Sequence, residues 1–96
     1  MSDDERARVR VHISGTVQGV AYRANTEETA NERGVDGWVR NRDDGRVEAV
    51  FEGDRETVER MIEWCHTGSP RAEVTDVEVE WEEPRNRTGF NVRWSG

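Results

Sequence analysis

Apolar side chains recur at every second position in five stretches of this 96-residue chain, and at every third or fourth in two others. Val9, Val11 and Ile13 alternate with Arg10, His12 and Ser14, which predicts a strand from Arg8 to Ser14 with one buried face and leaves His12 exposed on the other. Tyr22, Thr26, Thr29, Ala30 and Arg33 recur at helical spacing, and Gly34 supplies the stop. That stripe is thin and made of small residues, so the helix is expected to sit close to its sheet. A second strand over residues 36–42 turns Gly37, Val39 and Asn41 toward the core and Trp38 and Arg40 away.

Asp43-Asp44-Gly45 is a turn signal that predicts an antiparallel hairpin into a third strand, with Val47, Ala49 and Phe51 inward and Glu48, Val50 and Glu52 outward. Asp54 is placed to cap a second helix, with Glu56 in its first turn. Val58, Met61, Ile62 and Cys65 form its apolar stripe, Trp64 flanks that stripe, and Gly68 with Pro70 ends it. Val77, Val79 and Trp81 then alternate with Glu78, Glu80 and Glu82, predicting a strand whose carboxylates are a solvated face. Phe90, Val92 and Trp94 close the pattern with a short strand. The order is βαββαβ with one appended strand. Two helices on one face of an antiparallel sheet make the ferredoxin-like α+β sandwich.

No linker or compositional break divides residues 1–96, so one domain is expected, with about residues 1–7 as a disordered tail. No apolar run approaches the ~20 residues needed to span a bilayer. The first residues, Met-Ser-Asp-Asp-Glu-Arg, are acidic and unlike a secretory signal, so a soluble, cytoplasmic monomer is expected. The single cysteine, Cys65, falls on the core stripe of the second helix and reads as a small buried residue rather than a nucleophile. No metal-ligand spacing occurs, and no cofactor is expected.

Charge narrows the partners further. The chain carries 21 acidic residues against 14 basic ones, every one of the latter Arg, for a net charge of −7. That balance argues against a nucleic-acid surface and against anionic membranes. An apolar content of 32% with this acidity would suit disorder, but the periodicity is too regular for it. A folded domain with a dense acidic surface remains, a composition resembling proteins that work in molar salt.

The chemistry points to residues 15–23, Gly-Thr-Val-Gln-Gly-Val-Ala-Tyr-Arg, between the first strand and the first helix. A Gly-bearing loop that enters a helix gathers unpaired backbone N–H groups at the positive end of the helix dipole and can wrap an anion. Arg23, early in the helix, would add a planar fork of donors suited to phosphate or carboxylate. By themselves, Gly15 and Gly19 are equally consistent with a tight strand-to-helix turn. Asn41 ends its strand on the same side as this loop, two strand positions or roughly 10 Å away. It can donate and accept without titrating, which suits it to orienting a water.

Gly15-x-Val17-Gln18-Gly19-Val20-x-Tyr22-Arg23, followed by Gly37-Trp38-Val39-x-Asn41-x-x-x-Gly45-x-Val47-Glu48 and then Phe51-Glu52-Gly53, resembles the acylphosphatases over about Val9 to Trp94. These are small hydrolases of carboxyl-phosphate anhydrides, and the resemblance implies the ferredoxin-like fold again. It implies an acyl phosphate substrate, with inorganic phosphate as product and competitive inhibitor. Arg23 and Asn41 are the implied catalytic residues, and the phosphate cradle is Val17, Gln18, Gly19, Val20, Ala21, Tyr22 and Arg23. The alternative is a ferredoxin-like module that binds a small anion without turnover.

Overall fold

The alternating stretches pair into one five-stranded sheet in the computed structural model, which describes residues 5–93. In chain order the elements are β1 (Arg6–Thr16), α1 (Tyr22–Arg33), β2 (Asp36–Asn41), β3 (Val47–Asp54), α2 (Arg55–Cys65), β4 (Glu73–Glu82) and β5 (Phe90–Arg93). The strands lie in the order β4-β1-β3-β2-β5, the ferredoxin-like arrangement with an extra edge. Four strands pair antiparallel. The last departs from the expected all-antiparallel sheet: β5 runs parallel to β2, placing Val92 beside Val39 and Phe90 beside Gly37.

Period-two patterning placed the core correctly. Val9, Val11 and Ile13 pair across from Phe51, Ala49 and Val47, and all six are buried. Onto this face α2 lays Val58, Met61 and Cys65, while α1 contributes only Tyr22, Thr26 and Ala30. The small residues of α1 let it approach the sheet, and the Thr26 hydroxyl donates back to the Tyr22 carbonyl at 2.7 Å, which satisfies it inside the core. Gly34 closes α1 in the left-handed region, with φ 72°. Asp54 occupies the N-cap position of α2 as expected, yet its side chain makes no capping hydrogen bond.

Three further expectations are corrected. Arg6 and Ala7 belong to β1 rather than to a tail, because Ala7 pairs with Gly53 and is buried, and Arg6 reaches the carboxylates of Asp36 and Glu52. Residues 1–4, the remainder of that tail, and Trp94, assigned to the last strand, lie outside the described residues. Val79 and Trp81 share the core-side face, opposite Val11 and Val9, but each keeps 42% of its surface exposed. The cause is that α2 packs over β1 and β3 and barely reaches the β4 edge; from α2, the Arg55 guanidinium lies over the Trp81 ring, 4.4 Å from its centroid.

The outer sheet face is the fourth correction, since it is an ion-pair lattice rather than a solvated polar surface. Glu48 and Glu52 are almost completely buried. Glu48 accepts from Arg10 at 2.5 Å and Arg40 at 2.7 Å, with Arg42 at 3.4 Å and His12 at 3.3 Å. His12 is therefore half-buried against a carboxylate. Glu52 takes Arg8 at 3.2 Å and the backbone N–H groups of Arg85 and Asn86 at 3.0 and 2.7 Å. Glu82 bridges Arg8 and Arg10 at 2.9 and 2.7 Å, so even the β4 carboxylate row is partly enlisted. Burial alone would raise these carboxyls, but the surrounding guanidinium and amide donors outweigh it and hold all three below the ordinary carboxylate range.

Candidate active site

Register brings the two motifs together. Val47 pairs with Ile13 on one side and with Asn41 on the other, so the three lie in one row across β1, β3 and β2. Two residues beyond Ile13 the β1 ladder carries an irregularity between Ser14 and Gly15. Gly15, at φ 120°, passes so close to β4 that a Cβ there would lie 2.1 Å from the Glu73 carbonyl oxygen. The chain leaves the sheet at this point, loops through Val17 to Ala21 and enters α1 beside the end of β2.

Between the loop, α1 and the ends of β2 and β5 lies a cleft of about 500 Å³. Of the residues singled out by sequence, Val17, Gly19, Ala21, Tyr22, Arg23 and Asn41 line it. Gln18 and Val20 do not. Val20 packs against the hydrophobic core, and the Gln18 side-chain amide instead donates to the carbonyls of Arg42 and Arg46 at 2.8 and 2.9 Å, tying the loop to the β2–β3 turn. Tyr22 contributes little polar character, because its hydroxyl is buried and donates to the Cys65 carbonyl at 2.7 Å. Burial, reinforced by Cys65, raises the Tyr22 hydroxyl far above its ordinary value.

The N-terminus of α1 is built without the usual cap. Its N-cap residue is Ala21, which has no side-chain acceptor, and no acidic residue stands in the first turn. Ala21 sits in the left-handed region at φ 64°, ψ 25°, uncommon for a residue with a Cβ. The first helical hydrogen bond runs from Asn25 N–H to the Ala21 carbonyl at 3.1 Å. The positive end of the helix dipole therefore opens on the cleft wall, where Tyr22, Arg23 and Ala24 of the first turn all stand.

Sequence reasoning missed four lining residues: Ala24, Glu27, Asn91 and Val92. Glu27 stands one helical turn after Arg23, and i, i+4 spacing could have found it. Asn91 and Val92 enter through the parallel β5–β2 pairing, for which no local signal exists. Cys65 is fully buried outside this cleft. Burial pushes its thiol up to about 12 despite the hydrogen bond with Tyr22, so it is a structural residue rather than a nucleophile.

The acylphosphatase family model matches residues 9–92. The chain belongs to the acylphosphatase family. It is 61% identical over 93 residues to an acylphosphatase of Natronomonas pharaonis, covering 97% of this chain and 99% of that one. With an acylphosphatase of Haloarcula marismortui the identity is 64% over 87 residues, covering 91% and 96%. The solved acylphosphatase of Bacillus subtilis superposes with a TM-score of 0.87 at 35% identity, covering 91% of this chain and 98% of its own. These acylphosphatase relationships make the chain a hydrolase that splits acyl phosphates into carboxylate and inorganic phosphate, and they favour catalysis over anion binding without turnover.

Proposed function

We propose that the acylphosphatase reaction takes place in the α1 cleft, with Arg23 and the amides of the 17–23 loop holding the phosphoryl group and Asn41 orienting the attacking water. The observation that carries this reading is the uncapped α1 N-terminus, which lines one cleft with Arg23 and Asn41. Backbone donors and a guanidinium, fixed before substrate arrives, stabilise charge on the equatorial phosphoryl oxygens without reorganising during the reaction. Gln18 supports the cradle from behind by fixing the loop to the turn after Asn41.

In this reading the water oxygen bonds to phosphorus as the bond from phosphorus to the acyl oxygen breaks. The carboxylate leaves with the electron pair. The water gives one proton to a phosphoryl oxygen of the substrate and keeps the other, yielding dihydrogen phosphate. The carboxylate is a good leaving group and needs no acid to assist it. The chain acts as one domain, a monomer in the cytoplasm, and inorganic phosphate competes with substrate for the same cradle.

Benzoyl phosphate hydrolysis by two variants tests the assignment. Arg23→Lys loses most activity in both binding and turnover, because a point ammonium cannot reproduce bidentate phosphate contact. Asn41→Ala keeps phosphate competition while turnover falls ~10²–10³-fold, the cost of one positioned polar group. Near-wild-type kinetics in Arg23→Lys, or lost phosphate affinity with intact turnover in Asn41→Ala, would remove that residue from its role.

A further inference from the structure

On the sheet face opposite the cleft lies a second hollow of about 590 Å³, whose lining is almost entirely arginine. Its floor is Trp38 with Arg8, Arg10 and Arg40, and its rim is Arg85, Arg87 and Arg93. The floor arginines are compensated, since each contacts Glu48, Glu52 or Glu82. The rim arginines are different: none of the three makes an ion pair among the described residues. Arg87 donates to the Gly37 carbonyl at 3.2 Å, and Arg93 lies 4.6 Å from the Trp38 ring centroid, so both are held in place by neutral partners.

This concentration runs against the chain's overall charge of −7. Six guanidinium groups surround the hollow and three carboxylates offset them, leaving a local excess of three positive charges. Close guanidinium groups repel one another, and the repulsion is relieved by an anion that several can share. We propose that this hollow is a second anion site, separate from the catalytic cleft, for a compact multivalent phosphate such as the triphosphate of a nucleotide or inorganic triphosphate. The planar forks of Arg85, Arg87 and Arg93 match phosphate oxygens in bidentate fashion.

The chemistry of the floor says which part of such a ligand is read. Trp38 is only 6% exposed, with Arg10, Arg40 and Arg93 all against its ring, so no indole face is open for a base to stack on. Recognition therefore rests on phosphate, and a nucleic-acid strand is opposed by the acidic remainder of the surface.

Isothermal titration of the full chain with inorganic triphosphate tests this, with saturating inorganic phosphate present to occupy the cleft. One triphosphate should bind per chain, adenosine triphosphate should bind similarly, and adenosine should not bind. Arg85 and Arg93 are exposed, and the double variant Arg85→Gln/Arg93→Gln should weaken triphosphate ~10-fold or more while leaving benzoyl phosphate turnover within about twofold. The preserved turnover also shows that the variant is folded. Arg23→Ala, by contrast, should bind triphosphate as the wild type does. The proposal is overturned by an absence of saturable binding, by binding that survives the double variant, by binding lost in Arg23→Ala, or by adenosine triphosphate binding where inorganic triphosphate does not.

Discussion

Gln18 Nε2 lies 2.8 Å from the carbonyl oxygen of Arg42, so the loop that leads into α1 is fastened to the residue immediately after Asn41. A second bond from the same amide to the Arg46 carbonyl, at 2.9 Å, closes the bracket across the β2–β3 turn. One side chain thereby sets the spacing between the loop and Asn41, which lies 18 positions beyond Arg23 in the sequence.

Replacing Gln18 with Leu should separate positioning from binding. Two neutral hydrogen bonds are lost, at about 1 kcal/mol each in stability. Turnover should fall by roughly tenfold or more, because a displacement of about an ångström at a reacting group costs as much as 10²-fold. The inhibition constant for phosphate should change far less. Urea unfolding and benzoyl phosphate kinetics measure the two effects, and an unchanged turnover with lowered stability would reduce Gln18 to a structural tie.

Turnover should be flat between pH 5 and 8. The roles assigned to Arg23 and Asn41 ask neither side chain to exchange a proton, and burial raises the Tyr22 hydroxyl well beyond this range. His12 lies on the outer sheet face against Glu48, and the exposed His66 follows α2, so the double variant His12→Gln/His66→Gln should retain the wild-type profile. A limb near pH 6.5 that disappears in that variant would mean that a histidine carries the proton.

Acid should unfold the protein through its outer face. Glu48, Glu52 and Glu82 titrate below their ordinary value of 4.5 in the folded chain, so over the interval between the two values the unfolded chain holds more protons. Their stabilisation is complete above about pH 5 and disappears as pH falls through the lower, folded values. Urea midpoints measured from pH 7 down to 2 should show this decline. Glu48→Gln should cost about 3–5 kcal/mol at neutral pH, since it leaves Arg10 and Arg40 crowded without their anion. A variant as stable as the wild type would show that the lattice is decorative.

Gly68→Ala should damage the cleft from the far side of the core. Gly68 has φ 65°, and a Cβ there would lie 2.2 Å from the Tyr22 ring. That ring is buried against Trp64, with centroids 5.6 Å apart, and cannot move aside. Overpacking and left-handed strain together should cost about 2–4 kcal/mol. Because Tyr22 begins α1 and directly precedes Arg23, turnover should fall as well, which a parallel unfolding and kinetic measurement would register.

What the sequence disclosed depended on whether the cause was local. Alternation in β1 and β3, the stripe of α2 and the glycine stop after α1 are local, and each element was found, with β1 starting earlier than expected, at Arg6. Arg23 and Asn41 were singled out because their motifs lie beside recognisable element ends, and both line the cleft. The outer face was misread because Glu48 and Glu52 look solvated until one knows that Arg8, Arg10 and Arg40 lie over them, contacts that span as many as 44 positions. Gln18 belongs to the cradle that the resemblance implies, but no local signal announced that its side chain turns toward partners 24 and 28 residues away. Asn91 reached the cleft through a parallel pairing, which no turn or spacing announces.

The row formed by Ile13, Val47 and Asn41 has one more consequence. Neighbouring residues of a strand face opposite sides, so a slip of a single position between β2 and β3 would turn Asn41 outward and press Arg40 into the apolar interior. The same alignment that buries Val39 against Ala49 also delivers Asn41 to the cleft. Molecules with a sound interior and a misplaced Asn41 are thus excluded by geometry. During refolding, recovery of hydrolysis should keep pace with burial of the core, making the enzyme's own turnover a reporter of strand alignment.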